Sequence, residues 1–365
     1  MKCVTGKKIM LILGIESSCD ETAAALVCDS RIVENRILSN IVLSQEKEHR
    51  PFGGVVPEVA ARAHLKHIDS LIMKAMNDAG VTFNEIDGVA ATGGPGLIGG
   101  VIVGIMSAKA IASVQKKPFI AVNHLEGHAL TARLTSNVDF PYLFLLVSGG
   151  HCQLLIVEGI GKYKRLGTTV DDALGEAFDK CAKMMGLGYP GGPIVETTAK
   201  AGNGTRFDLP RPMRGRKGCH FSFSGLKTAV RRQIEKLGND NMSSQDIADL
   251  CASFQQAVGD VLIDRCKNAL NQFRSIYPAG NTLVIAGGVA ANKSIGKRLT
   301  ELKNDENFRL VVPPAEFCTD NAAMIAWAGI EQLKSGNTNS LNFKPRPRWP
   351  LDPNAPAAIG AGVKA

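Results

Sequence analysis

Two of the chain's seven histidines fall within five residues, in His124-Leu125-Glu126-Gly127-His128. At i and i+4 on a helix, two imidazoles share one face and can hold one metal ion. The metalloprotease pattern needs Glu directly after the first His, where it works on the metal-bound water. Glu126 stands two residues on and would point away from the metal face. The spacing therefore admits a metal and argues against a protease, and the plain alternative is two helix histidines making ordinary hydrogen bonds. A third ligand must come from elsewhere. Asp320 opens a predicted helix in Phe317-Cys318-Thr319-Asp320-Asn321, where spacing alone favours a simple N-cap.

Other segments suggest an anion site. Three glycine turns follow predicted strands: Gly93–Gly96 with Gly99 and Gly100, Ser148–Gly150, and Gly287-Gly288. Glycine lets backbone N–H groups close on a phosphate. None of the turns fits the P-loop or the dinucleotide fingerprint. The acidic start Asp171-Asp172 suits the positive end of a helix. Asp179 lies a helical turn further in, before Tyr189-Pro190-Gly191-Gly192-Pro193, and could accept hydrogen bonds from ribose hydroxyls. Between Arg206 and Lys236 nine basic residues meet only Asp208 and Glu235, so this segment holds seven of the chain's net +8 charges. Such a segment suits a polyanion with a phosphate backbone. Phe221 and Phe223, just beyond, could stack on a base, but core burial is the expected fate of both.

The elements that must position these groups read as α/β, with strands and helices alternating throughout. Expected strands are Met10–Gly14, Thr22–Val27, Ile86–Ala91, Phe119–Val122, Tyr142–Val147, Gln153–Val157 and Thr282–Ala286. Expected helices run over Pro57–Ala79, from Leu97, from about Ser294 and from Asp320 to Leu333. Strand, small-polar turn, strand occurs over Leu11–Val27 and again over Leu143–Val157, which suggests two related halves. The length of 365 residues and 45% hydrophobic content imply about two domains. They exclude a disordered chain and a small disulfide scaffold. Nine scattered Cys with no C-x-x-C spacing predict free thiols in a reducing compartment rather than a zinc ribbon. The apolar run Leu97–Val114 carries Ser107, Lys109, Ser113 and several Gly, and is expected as a buried helix rather than a membrane span. The N-terminus shows neither a signal-peptide nor a transit-peptide pattern, and the expected location is the cytoplasm.

Taken in order, Gly14–Thr22, Gly53–Glu58, His124–His128, Leu145–His151, Asp171–Lys180, Phe221–Thr228, Ala286–Asn292, Phe317–Ala323 and Pro345–Pro350 resemble the TsaD family of bacterial and organellar tRNA threonylcarbamoyltransferases. The resemblance runs from about residue 10 to 351. It implies an α/β, two-lobed actin/sugar-kinase/heat-shock ATPase-like fold with duplicated RNase H-like lobes around a central cleft. The lobes would be 9–122 plus about 321–345, and 123–320 carrying the metal and adenylate site, with 346–365 as an extended tail. It implies transfer of threonylcarbamoyl from L-threonylcarbamoyl-AMP to N6 of adenosine 37 in tRNAs reading ANN codons. The family's metal ligands fall on His124, His128 and Asp320, for one divalent ion per subunit, usually iron and sometimes zinc. Substrate-binding positions fall on Leu146, Val147, Ser148, Gly149, Gly150, Asp179, Gly192 and Asn292. Asp20 and Glu21 are the candidates to take the amine proton, and Arg211, Arg214, Arg216, Lys217, Arg231 and Arg232 are candidate tRNA contacts. The family implies a catalytically inactive TsaB-type paralogue and a small TsaE-type P-loop ATPase as partners. Rival readings are a kinase-like ATPase of the same fold, a zinc endopeptidase and a non-catalytic scaffold.

Overall fold

The structure is a computed structural model that describes residues 9–238 and 241–356. It divides into two compact units, one reaching Asp139 and resuming over Thr319–Pro353, the other spanning Phe140–Cys318 and the segment from Asn354.

The first unit is built on β1 (Leu11–Glu16), β2 (Glu21–Cys28), β3 (Ile37–Ser44), β4 (Gly88–Gly94) and β5 (Phe119–Asn123). The sheet order is β3-β2-β1-β4-β5. β1 and β2 form an antiparallel hairpin, and β3 continues it. β4 joins β1 in parallel and β5 joins β4 in parallel. After the short α1 (Glu46–His49), helices α2 (Pro57–Ala79) and α3 (Ile98–Gln115) cross over between strands, and α4 (His124–Ser136) leaves β5. The bounds of α2 match the sequence expectation because its signals are local. Pro57 occupies the first turn and Gly80 closes the helix in the left-handed region.

Side chains alternate across β1. Leu11, Leu13 and Ile15 enter the core with Ile68, Leu71 and Ile72 of α2 and Val101 and Ile105 of α3. The opposite face meets α11 (Ala322–Lys334). A Cβ on Gly14 would lie 2.6 Å from the Ala326 amide nitrogen, and one on Gly329 would lie 2.6 Å from Ala90 Cβ. Small residues there let α11 lie directly on the sheet. Among the described residues, α3 is the helix long and apolar enough to cross a membrane. It buries Val101, Ile105, Ala108 and Ala112 against the sheet.

The second unit repeats the plan. Its sheet is β6 (Tyr142–Val147), β7 (Cys152–Gly159), β8 (Lys162–Thr168), β9 (Thr282–Ala286) and β10 (Arg309–Val311), in the order β10-β9-β6-β7-β8. β6, β7 and β8 pair antiparallel, while β9 joins β6 and β10 joins β9 in parallel. Read from β8, both order and directions equal those of the first sheet, so the internal echo is a duplicated topology. Its helices are α5 (Leu174–Met184), α6 (Gly191–Ala199), α7 (Ser224–Leu237), α8 (Ser244–Ile276), α9 (Lys293–Glu306) and the short α10 (Ala315–Cys318). Phe178, Phe221, Phe223 and Phe254 lie in its core. Both Phe221 and Phe223 are fully buried, so neither ring is open to a base.

Two boundaries differ from expectation. The first unit runs on past residue 122 because α4 packs on α11 and β5. This places His124, His128 and Asp320 in the first unit rather than with the adenylate candidates. The last long helix starts at Ala322, and Asn321 is its cap: the Asn321 side chain accepts from Met324 N at 3.0 Å. Asp320 is thereby spared the capping role that spacing favoured. The eight described cysteines are all free thiols.

Candidate functional site

β1, β4 and β5 are parallel, so their carboxyl ends share one edge, where open α/β sheets bind ligands. Each contributes a polar group: Glu16 from β1, Thr92 from β4 and Asn123 from β5. The Asn123 side chain caps α4 by accepting from Leu125 N at 2.9 Å. His124 is then the first residue of that helix and His128 follows one turn later, with ring centroids 4.8 Å apart. Asp320, just ahead of α11, reaches both. Its Oδ1 lies 3.4 Å from His124 Nε2 and 3.1 Å from His128 Nε2.

His124 is held from behind. Its Nδ1 lies 3.0 Å from Glu16 Oε2 and 3.1 Å from Ser18 Oγ. Glu16 is wholly buried. It also accepts from Ser18 N at 2.6 Å and from Thr92 Oγ1 at 2.5 Å. A carboxylate behind a histidine fixes the proton on Nδ1 and frees the Nε2 lone pair for a metal. His128 is equally buried, and its Nδ1 has no partner among the described residues.

The electrostatics follow from this packing. Burial opposes charge on Asp320, but His124 and His128 outweigh it and hold the carboxyl far below the usual range. Burial likewise opposes charge on Glu16, and His124 outweighs it, so this carboxyl is lowered too. Burial disfavours the His124 cation, yet Asp320 and Glu16 raise its pKa well above the ordinary value. Glu21, at the start of β2, is raised by burial and then by Asp320, Asp20 and Glu16. Two imidazole nitrogens and one carboxylate oxygen, all within 4.8 Å of one another, form a borderline donor set. With bonds of about 2.1 Å it suits Zn²⁺ or Fe²⁺. The residues present therefore fit a divalent transition metal. Glu126 is engaged elsewhere, accepting from Gln332 Nε2 at 2.6 Å within the buried α4–α11 contact.

Of the expected donor-binding positions in the second unit, Leu146–Gly150 span the end of β6 and Asn292 follows β9, while Asp179 lies in α5 and Gly192 at the start of α6. Leu146 and Val147 are fully buried in β6, so they can offer only backbone. Ser148–Gly150 form a closed turn in which Ser148 N donates to His151 O at 2.8 Å. Nothing lies within 4 Å of a Cβ built on Gly149, Gly150 or Gly192, which leaves that backbone open. Gly175 N donates to Ser148 O at 3.1 Å, tying the start of α5 to the turn. The glycine-rich step after β9 is packed from below, because a Cβ on Gly287 would collide with the Val147 carbonyl. Asn292 caps α9 and also donates to Gln255 at 2.9 Å. Asp179 Oδ1 accepts from Gly191 N at 2.8 Å, so that oxygen holds the 189–192 turn.

The basic segment sorts into two kinds of residue. Arg206 pairs with Asp246 and Asp249, Arg211 with Asp260, Lys227 with Asp172 and Arg231 with Glu235. Arg214, Arg216, Lys217 and Arg232 are exposed and make no ion pair among the described residues. Asp171, expected to serve the start of α5, instead accepts from Phe223 N at 2.7 Å and Ser224 N at 3.2 Å and so caps α7. Glu16, Ser18 and Thr92 were passed over by sequence reasoning. A glutamate inside an otherwise apolar strand was the available signal for the first.

A profile described as "TsaD: tRNA N6-adenosine threonylcarbamoyltransferase" matches residues 36–327. The chain belongs to this family. A tRNA N6-adenosine threonylcarbamoyltransferase of Rhodospirillum rubrum is 63% identical over 358 residues, covering 97% of this chain and 98% of that protein. One from Brucella canis is 58% identical over 355 residues, covering 97% and 98%. TsaD relatives of this name place the chain among transferases that modify tRNA. Among solved structures, HypF from T. kodakarensis aligns with TM-score 0.56 at 13% identity, covering 90% of this chain and 48% of that one. That likeness bears on the fold alone, an α/β architecture of two units whose sheets share one strand order.

Proposed function

We propose that the chain transfers threonylcarbamoyl from L-threonylcarbamoyl-AMP to N6 of adenosine 37 in tRNAs reading ANN codons, with a divalent metal at His124, His128 and Asp320. The observation that carries this reading is the convergence of those three side chains, braced by Glu16 and Ser18, in a TsaD-family chain. The metal, Fe²⁺ or Zn²⁺, would supply Lewis-acid charge beside the donor's carbamoyl or phosphate oxygen. The protein's own groups supply the rest. The Ser148–Gly150 turn and the Gly287–Asn292 segment would grip the adenylate, with the uncovered backbone of Gly149 and Gly150 suited to its phosphate. The donor is an activated mixed anhydride, so alignment with the adenine amine is the main requirement. Asp20 and Glu21 are the carboxylates available to take the amine proton. Adenosine 37 lies in the anticodon loop and can be splayed out without opening a duplex.

The exposed Arg214, Arg216, Lys217 and Arg232 would contact the tRNA backbone, with Arg211 and Arg231 committed first to their ion pairs. A TsaB-type paralogue and a TsaE-type ATPase are proposed as partners, in the cytoplasm. Exposed apolar side chains on α2 (Leu65, Met73) and on α3 (Ile98, Ile102, Met106) support a protein partner. The test is mass spectrometry of nucleosides from unmodified tRNA incubated with the adenylate, this protein and the partners. The modified nucleoside should form with the wild type and be lost, together with bound metal, in His124→Ala/His128→Ala. Full transfer by metal-free protein would remove the metal from the reading.

A further inference from the structure

The glycine turn at the end of β4 is packed against protein. It is covered by the chain's own tail. Arg346 N donates to Gly93 O at 2.8 Å, and Gly96 N donates to Pro347 O at 3.3 Å. Lys109 Nζ donates to Phe343 O at 2.6 Å. The Arg346 guanidinium lies over the rings of Trp349, at 4.7 Å, and Phe343, at 5.2 Å. Charge and ring faces attract in this arrangement. The glycines explain themselves here. A Cβ on Gly93 would lie 2.9 Å from the Phe343 ring, and one on Gly94, whose φ is +131°, would collide with the Arg346 carbonyl. Upstream, the same tail runs along the free edge of β5, where Asn339 N donates to Phe119 O at 2.9 Å and Ala121 N donates to Asn339 Oδ1 at 2.8 Å.

Two routes lead from this tail to one metal-ligand candidate. Asn123 Nδ2 donates to Trp349 O at 2.8 Å while its Oδ1 accepts from Leu125 N at 2.9 Å. The one buried amide thus joins tail and helix cap on either side of His124. On the second route, Leu97 N, just past the covered turn, donates to Ser18 O at 2.7 Å, and Ser18 Oγ lies 3.1 Å from His124 Nδ1. We propose that the segment Phe343–Trp349 is a clamp that holds His124 in place, with Asn123 as the positioning residue through which it acts. The inference rests on the metal reading only for its consequence. The clamp itself consists of the chain's own hydrogen bonds and is tested without metal.

The test compares the full-length wild type with Asn123→Asp, Gly94→Ala and Trp349→Phe. Asp caps a helix as well as Asn does but cannot donate to Trp349 O. Gly94→Ala unseats the tail and touches no ligand. Trp349→Phe keeps a ring for Arg346 and the same backbone carbonyl. In metal-free protein, amide exchange over the first turn of α4 should quicken about fivefold in Asn123→Asp, as for loss of one hydrogen bond, while α11 is unchanged. Co²⁺ affinity should fall about tenfold, as for loss of an outer-shell support, with an altered visible spectrum. Gly94→Ala should do the same, and Trp349→Phe should match the wild type. If Gly94→Ala fails to fold, Asn123→Asp decides. Wild-type exchange in Asn123→Asp overturns the clamp. If the wild type binds no Co²⁺, the metal reading fails and the exchange data alone judge the clamp.

Discussion

Replacing Glu16 by Gln changes one buried atom behind His124 and tests the electrostatic logic of the site. Glu16 serves three donors: Ser18 N at 2.6 Å, Thr92 Oγ1 at 2.5 Å and His124 Nδ1 at 3.0 Å. Gln has one acceptor oxygen and one NH₂ group. If its oxygen stays with Ser18 N, its NH₂ faces Thr92 and His124. The Thr92 hydroxyl can rotate and accept. His124 can accept at Nδ1 only by moving its proton to Nε2, which removes the lone pair that would bind a metal. The flipped amide sets NH₂ against the Ser18 N–H, which is no better. The expected loss is therefore that of an outer-shell partner, about 10- to 100-fold in metal affinity, or about 1.4–2.8 kcal/mol. Competition with a chromophoric chelator, using Zn²⁺ or Co²⁺, measures it directly. Ser18→Ala removes only the neutral contact at 3.1 Å and should cost less than Glu16→Gln. Wild-type affinity and an unaltered Co²⁺ spectrum in Glu16→Gln would refute the argument.

The metal-free protein should have a distinctive pH dependence. His124 is raised in the folded state, so its contribution is complete below the unfolded value of about 6.5 and is lost as pH rises through the folded value. Asp320 and Glu16 are lowered, so theirs is present above about 4 and lost as pH falls. Thermal melts should thus peak in mildly acidic buffer. Added Zn²⁺ should move the optimum upward because ligating histidines must be neutral, and an unmoved optimum would count against ligation. Reversing Arg214, Arg216 and Lys217 to Glu should weaken tRNA binding and flatten its salt dependence, by about 0.7–0.9 in the log–log slope for each phosphate no longer neutralised. An unchanged slope would clear that loop of a role. Phe178 is buried edge-on to Phe254, with centroids 5.0 Å apart. Phe178→Ala should cost about 3–5 kcal/mol by cavity formation, read as a lower denaturation midpoint.

Local chemistry carried most of the elements. Pro57 and Gly80 bracket α2 as their backbone preferences require, and the β-strands follow from apolar runs ending in small polar turns. The duplication was legible as a repeated strand–turn–strand pattern, and the matching strand order emerged only from the fold. The pairing of His124 with His128 was equally legible, because i and i+4 meet on any α-helix. The resemblance to TsaD pointed to Asp320 as the third member of the cluster, where spacing had favoured a cap.

What the sequence by itself determined lies within a helical turn or a strand of the residue concerned. Tertiary packing decided the rest. His128 meets Asp320 across 192 residues, His124 meets Glu16 across 108, and Asn123 meets Trp349 across 226. Such contacts form because α11 and the tail return to the first sheet. No local preference encodes where a returning segment will dock. The turn at Gly93–Gly96 shows the limit: glycine announces that something approaches the backbone closely, and only the folded chain reveals that it is Arg346 and Trp349 rather than a phosphate.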